Sequence, residues 1–272
     1  MNYRHIYHAG NFADVIKHLV LIAVLENLVK KEKPYYFLDA FAGIGKYDLN
    51  SCEASKTMEA DFGVNLVNGY KGALPSLLQK YKDMIAGYNF TNEKTYPGSP
   101  LIISNYIREG DKADFCELHP DDYEILEWNL RGFLGCKTHN TDGYKAINAL
   151  LPPKQKRGVV FLDPPFEVTD EFEKIIAAIE IINKKFGHAI VAIWYPIKDY
   201  KHVKLFYQKV IKFNKEALKI EFSLPKMEKG LTSTGLLLLN PPYIIDEIRE
   251  NLEFLKHYVY LDEANFTISL LA

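Results

Sequence analysis

At two places in the 272-residue sequence an apolar run ends in a polar residue followed by two prolines and an aromatic: Asp163-Pro164-Pro165-Phe166 and Asn240-Pro241-Pro242-Tyr243. Such a turn presents a side-chain oxygen and a backbone carbonyl together, on a chain stiffened by the fixed φ of proline. Two acceptors side by side suit an amine that must be made nucleophilic. The exocyclic nitrogen of a nucleobase is poor at attack because its lone pair is delocalised into the ring, and two acceptors draw it toward tetrahedral geometry. At the first turn the acceptors would be the Asp163 side chain and the Pro164 carbonyl. Phe166 would stack on a base taken out of its helix. Most of the rate would come from holding the nitrogen in line with an incoming methyl group, with Asp163 taking the released proton.

Three other loops carry residues that could hold the methyl donor. Asp39-Ala40-Phe41-Ala42-Gly43-Ile44-Gly45 has two glycines one residue apart, which permit a tight turn and close approach to a ligand. Lys46 is followed by Tyr47, so the loop lacks the spacing of a phosphate-binding P-loop, and it lacks the third glycine of a dinucleotide fingerprint. What is left is the Asp-x-Phe-x-Gly-x-Gly pattern of adenosylmethionine sites. Glu117, in Phe115-Cys116-Glu117-Leu118-His119, could accept the hydroxyl protons of a ribose, although an acid there could equally cap a helix. Asp142-Gly143 could form a simple turn, or accept from an adenine amino group while a backbone N–H donates to the ring.

The elements that must position these loops read as an alternation. Asn11 is a plausible cap for a long helix in which Phe12, Val15, Leu19, Ile22, Leu25 and Leu28 recur at helical spacing up to Pro34. Strands are expected at 35–39, 113–117, 136–140, 158–163 and 189–195, with helices at 121–130, 143–150 and 170–185. Two or three later strands are expected at 217–223, 235–240 and 265–271, the last of them antiparallel. The fold class is therefore α/β, a Rossmann-like class I methyltransferase with a mostly parallel seven-stranded sheet. Residues 48–96 show no strand pattern and two weak helical stretches, near 61–66 and 74–86, and read as a small helical insertion within a single domain over 1–272. The turn at Tyr96-Pro97-Gly98-Ser99-Pro100 opens a helix through Ile107. In such sheets ligands bind beyond the carboxyl ends of the strands. Asp163 ends the fourth strand of the series, whereas Asn240 comes after at least two more, so the first turn is the expected catalytic one.

Composition sets limits but does not select a substrate. The formal net charge is −2, without the basic excess common in proteins that grip nucleic acid. Basic clusters occur at Lys30-Lys31-Glu32-Lys33, Lys154-Gln155-Lys156-Arg157 and 198–204, each readable as a solvated face. The three cysteines, Cys52, Cys116 and Cys136, show no Cys-x-x-Cys spacing and fit a reducing cytoplasm. No secretory signal, membrane span or metal site is expected.

The run Tyr3-Arg4-His5-Ile6-Tyr7-His8-Ala9-Gly10-Asn11-Phe12-Ala13-Asp14-Val15-Ile16-Lys17-His18 resembles the N-terminal signature of the RlmJ family. The likeness continues through Tyr96-Pro97-Gly98-Ser99-Pro100-Leu101-Ile102, Glu117-Leu118-His119-Pro120, Asp142-Gly143, Asp163-Pro164-Pro165, Trp194-Tyr195-Pro196, Gly230-Leu231-Thr232 and Asn240-Pro241-Pro242. It implies N6-methylation of one adenine in 23S ribosomal RNA, with S-adenosyl-L-methionine as donor and S-adenosyl-L-homocysteine as product. It also implies that Lys17, His18 and Ser99 line the methionine side of the cofactor, and that Tyr3 and His5 meet the RNA or the entering adenine. Two positions depart from the expected pattern: Phe41 stands where a histidine is expected, and Phe166 replaces the commoner tyrosine. Phe41 would then contact the cofactor through its backbone or ring. A monomer is expected. The alternatives are a DNA adenine-N6 methyltransferase, a protein glutamine methyltransferase, and a catalytically silent RNA-binding protein on the same fold.

Overall fold

The computed structural model describes residues 4–89, 94–213, 215–225 and 230–271. Ten strands run in chain order: β1 Tyr36–Asp39, β2 Lys46–Asp48, β3 Thr95–Pro97, β4 Lys112–Glu117, β5 Cys136–Asn140, β6 Gly158–Leu162, β7 Ile190–Pro196, β8 Ala217–Ser223, β9 Ser233–Leu239 and β10 Asn265–Leu270. Eight of them form one sheet in the order β10-β8-β9-β7-β6-β1-β4-β5. The run from β7 to β5 is parallel; β9, β8 and β10 are joined antiparallel.

Among the described residues the sheet has eight strands, one more than the seven of the expected fold class, because all three of the later strand candidates form; the last adds to β8 as an outer edge with most of its side chains exposed. A second departure lies at the insertion. β2 and β3 pair antiparallel from Lys46↔Pro97 to Asp48↔Thr95, tying together the two ends of a segment read as strand-free. Three residues are too few for a period-two pattern to show. Between them lie the helices Cys52–Thr57, Val64–Gly69 and Ser76–Gly87.

The strands alternate two sets of side chains. Phe37, Phe115, Val159 and Phe161 face the layer containing the first helix, Phe12–Val29, and the insertion. Leu38, Cys116, Val160 and Leu162 face the layer containing Gly143–Leu150, Glu171–Phe186 and Tyr200–Ile211. Both faces are covered, so the central strands are apolar throughout. The first helix begins at Asn11, whose side chain accepts from Asp14 N, and stops at Val29, before Pro34. It is buried on nearly all sides, including Asp14, Lys17 and His18, because the helices Ser76–Gly87 and Ile245–Phe254 pack over it. Three polar residues in an otherwise apolar buried helix require partners. The helix opened at Ser99 ends at Ser104, short of Ile107.

Strand order reverses at β1: β4 lies on one side and β6 on the other, and both of their crossovers leave from the carboxyl edge. The crevice over the ends of β1 and β6 is the place such a sheet leaves for a ligand. Asp39 and Asp163 stand there.

Candidate active site

A cavity of about 800 Å³ opens at this edge of the sheet. It is lined by Asp163, Pro164 and Phe166, by Phe41, Gly43, Glu117, Asp142 and Gly143, and by His5, Lys17, His18 and Ser99. Of the residues named from the sequence, Tyr3 lies outside the described residues.

At the centre of the cavity floor is an ion pair. Lys17 Nζ donates to Asp163 Oδ2 at 2.6 Å and lies 2.7 Å from Asp14 Oδ1. The lysine side chain is only 5% exposed. Burial opposes its charge, but the Asp14 and Asp163 carboxylates outweigh that and hold its pKa above the usual range. Asp14 also accepts from Gly10 N at 2.8 Å and bonds His5 Nε2 at 2.9 Å. Burial works against the Asp14 charge too, yet His5 and Lys17 keep its carboxyl well below the ordinary range. Because Lys17 takes Oδ2, the Asp163 Oδ1 and the Pro164 carbonyl are acceptors with no bonded partner among the described residues.

Phe166 sits at φ 50°, a left-handed conformation uncommon for an aromatic residue, and this turns its ring into the cavity wall. Its edge meets Phe172 and Trp194 at centroid distances of 5.2 and 5.8 Å. The ring is therefore held by packing before any base arrives. Lys17 Nζ lies 5.6 Å from the Trp194 centroid, so cation, carboxylate and aromatic wall share one corner.

The other loops converge from β1, β4 and β5. Gly43 has φ +63°, and its N–H donates to Glu117 Oε2 at 3.1 Å. His119 N donates to the second oxygen of Glu117 at 2.7 Å. Burial raises the Glu117 pKa against these two donors. Gly143 is forced by contact: a Cβ there would stand 2.0 Å from the Ala40 carbonyl oxygen. Asp142 caps its helix through Lys145 N at 2.9 Å, so the turn and the binding readings of this residue are compatible. Phe41 packs edge-on against Tyr144 at 5.0 Å.

The Ser99 hydroxyl donates to Asp39 Oδ2 at 2.7 Å. Burial raises the Asp39 carboxyl to about 7, with the nearby Asp163 charge adding to it against the Ser99 hydrogen bond. His18 Nδ1 is 2.7 Å from the Tyr96 hydroxyl, and the two rings stack. Burial lowers its pKa to about 3, so it is a neutral imidazole at any working pH.

Sequence reasoning placed Asp39 in the adenosylmethionine-type glycine loop without giving it a contact, and gave Asp14 and Trp194 no role of their own, although all three line the cavity or hold what does. The i, i+3 spacing of Asp14 and Lys17 on a buried helix was the available signal for Asp14. For Trp194 the signal was the Trp194-Tyr195-Pro196 run within the family resemblance, which gave it no contact, since its neighbours come from distant segments.

The family model described as "Ribosomal RNA large subunit methyltransferase D, RlmJ" matches residues 32–270. The chain belongs to the RlmJ family. Within the family it is 36% identical over 261 residues to the ribosomal RNA large subunit methyltransferase J of Haemophilus influenzae, covering 94% of this chain and 92% of that one. The protein of the same description in Escherichia coli is 33% identical, with 92% and 91% covered. The crystal structure of protein LPL1258 from Legionella pneumophila superposes with a TM-score of 0.89 at 36% identity, over 96% of this chain and 98% of that one. The chain is accordingly a methyltransferase, on a mixed α/β fold with a mostly parallel central sheet.

Proposed function

We propose that the protein transfers a methyl group from S-adenosyl-L-methionine to N6 of one adenine in 23S ribosomal RNA. The observation that carries this reading is the pair of open acceptors, Asp163 Oδ1 and the Pro164 carbonyl, beside a preset aromatic ring at the switch point of the sheet.

The cavity's chemistry suits the donor. A nucleoside bearing a sulfonium and an ammonium needs carboxylates, close backbone approach and an apolar wall. Glu117 is fixed by two backbone donors, Gly43 and Gly143 admit close approach, and Phe41 and Tyr144 supply the wall. Glu117 would hold the ribose and Asp142 the adenine, with Lys17, His18, Ser99 and the Asp39 carboxyl toward the methionine end. When bound, adenosylmethionine supplies an electrophilic methyl group and leaves as S-adenosyl-L-homocysteine.

The chain's own residues do the rest. Asp163 and Pro164 would accept both hydrogens of the adenine amine and turn its lone pair out of the ring. Phe166 would stack on the base, and Asp163 would take the proton released. Lys17 holds the carboxylate in place and keeps one of its oxygens from the substrate, so the amine meets the other. His5, tied to Asp14, and Tyr3 would meet the incoming RNA, with the 48–96 insertion shaping the cleft through Glu59, which binds His8 and Asn11. We take residues 1–272 as one methyltransferase domain working as a monomer in the cytoplasm, where ribosomal RNA is made.

The test is to incubate the purified protein with adenosylmethionine and unmodified 23S RNA, digest the product and map N6-methyladenosine. A single modified adenine is expected. Methyl groups appearing only on ribose, on ring carbons or on DNA would overturn the reading.

A further inference from the structure

The three basic clusters of the sequence do not share a face. Two lie at the N-terminal end of the parallel strands: the Arg157 guanidinium donates to the Lys31 and Lys33 carbonyls at 3.3 and 2.9 Å, and its own carbonyl accepts from Tyr36 N where β1 begins. That is the edge of the sheet opposite Asp163. The third cluster starts where β7 ends, at the carboxyl edge. Lys198 lines the same cavity as Asp163 and Phe166. Across that cavity, the His8 imidazole is raised by its hydrogen bond to Glu59 and opposed by the charge of Lys198.

Lys198, Lys201 and Lys204 are all exposed, and Lys201 and Lys204 stand three apart on the helix Tyr200–Ile211, on one face. The nearby acids have other partners: Asp199 caps the helix by accepting from Lys201 N at 2.9 Å, Glu173 holds Lys209 at 2.7 Å and Glu221 holds Lys219 at 3.2 Å. None of the three lysines makes an ion pair among the described residues. The Lys204 ammonium lies 5.5 Å from the ring centre of Tyr200, which is 40% exposed. Lys198 is the member that lines the cavity, and the run 198–204 carries three lysines to one aspartate in a chain whose formal net charge is −2; the Tyr200 hydroxyl donates to Glu221 at 3.3 Å.

We propose that Lys198, Lys201 and Lys204, with the Tyr200 ring beside Lys204, hold the phosphates of the RNA strand that leads the target adenine into the cavity. The proposal rests on the functional reading above and assigns its substrate a docking surface. A nucleotide flipped into the cavity leaves its flanking phosphates at the rim, where unpaired ammonium groups release counterions on contact. An exposed tyrosine among them can stack on an unpaired neighbouring base.

The experiment compares K198A/K201A/K204A with K30A/K31A/K33A, the latter at the far edge of the sheet. Affinity for a 23S RNA fragment is measured by filter retention over a range of salt, and affinity for adenosylhomocysteine by calorimetry. The first variant is expected to lose about tenfold or more in RNA affinity near 0.1 M salt. The slope of log affinity against log salt should shrink by about 2 to 3, at roughly 0.7 to 0.9 per phosphate. Its affinity for adenosylhomocysteine and all properties of the second variant should match wild type. Unchanged RNA affinity and slope in the first variant, or equal losses in both, would overturn the proposal. So would polyglutamate competing as well as RNA at equal charge, which would make the patch a general anion binder. Because binding is read apart from catalysis, this pattern among the variants, together with a wild-type protein that methylates no RNA, would refute the functional reading and leave the docking surface standing.

Discussion

The turns 163–166 and 240–243 are near twins in composition, and each contains a non-glycine residue at positive φ, Phe166 at 50° and Asn240 at 51°. Their surroundings differ in every respect that matters for catalysis. The first follows β6, a central parallel strand, and its carboxylate reaches Lys17 inside the cavity. The second follows β9, which runs antiparallel to β7 with Leu239 opposite Val191, so Asn240 emerges at the far edge of the sheet. There its amide donates to the Ala189 and Gly187 carbonyls at 2.7 and 3.3 Å, and Tyr243 points wholly into solvent. One polar group is left with an open acceptor; the other is spent on tying a loop. A short motif is thus chemistry or architecture according to which end of which strand it closes.

Substituting the two polar residues is the most severe way to break this comparison. Asp163→Ala should reduce methyl transfer by about a thousandfold or more, the scale for losing a preorganised charged group at a reaction centre. Asn240→Ala should leave the rate within about twofold and cost about 1–2 kcal/mol of stability, from the Ala189 carbonyl that loses its side-chain donor, while Gly187 keeps Lys215. Radiolabelled methyl incorporation and urea unfolding check the pair, and equal activity losses in both would remove the distinction. Next in size is Lys17→Met, which leaves two carboxylates buried without their cation. It should cost about 3–5 kcal/mol in unfolding free energy, the scale for breaking a buried pair.

The aromatic residues give a smaller contrast. Phe166→Ala should raise KM for RNA or lower kcat by about tenfold, in keeping with about 1–3 kcal/mol for stacking on a base. Tyr243→Ala should shift neither by more than about twofold, as expected for an exposed side chain with no structural partner. The gentlest test is pH. His18 titrates at about 3 in the folded protein, below its ordinary value of 6.5, so the unfolded chain binds more protons as pH falls between the two. Its contribution is fully present above pH 6.5 and is lost progressively toward pH 3, at up to about 1.4 kcal/mol per pH unit. Thermal unfolding of wild type and His18→Gln across this window should show a shallower fall in the variant.

Local pattern carried much of the fold. Residues 136–140, 143–150 and 217–223 form the elements read from the sequence, and the first helix starts at its Asn11 cap and stops before Pro34, although it is buried on nearly all sides and not only along the face its periodicity marks. The failures have local causes. The β2–β3 ladder is too short to show alternation, and the helix from Ser99 stops early. Asp14 was passed over as a site residue, despite its i, i+3 spacing from Lys17, because a carboxylate in a first helical turn normally faces water. In the folded chain it is buried, and its bonds to His5, Gly10 N and Lys17 make it the anchor of that corner.

By itself, the sequence determined which tetrapeptides could hold an amine, which loops could approach a nucleoside, and the alternation that makes the sheet parallel. These follow from backbone conformation and side-chain chemistry, which act over a few residues. The order of strands along the chain already preferred the first proline turn; tertiary structure added the reason, since β9 runs antiparallel to β7 and delivers Asn240 to the opposite edge. Tertiary structure alone decided that Lys17, 146 residues from Asp163, claims one oxygen of that carboxylate. It also separated the three basic clusters, placing one at the cavity mouth and two at the opposite edge, because charge is written along the chain but a surface exists only once the chain is folded.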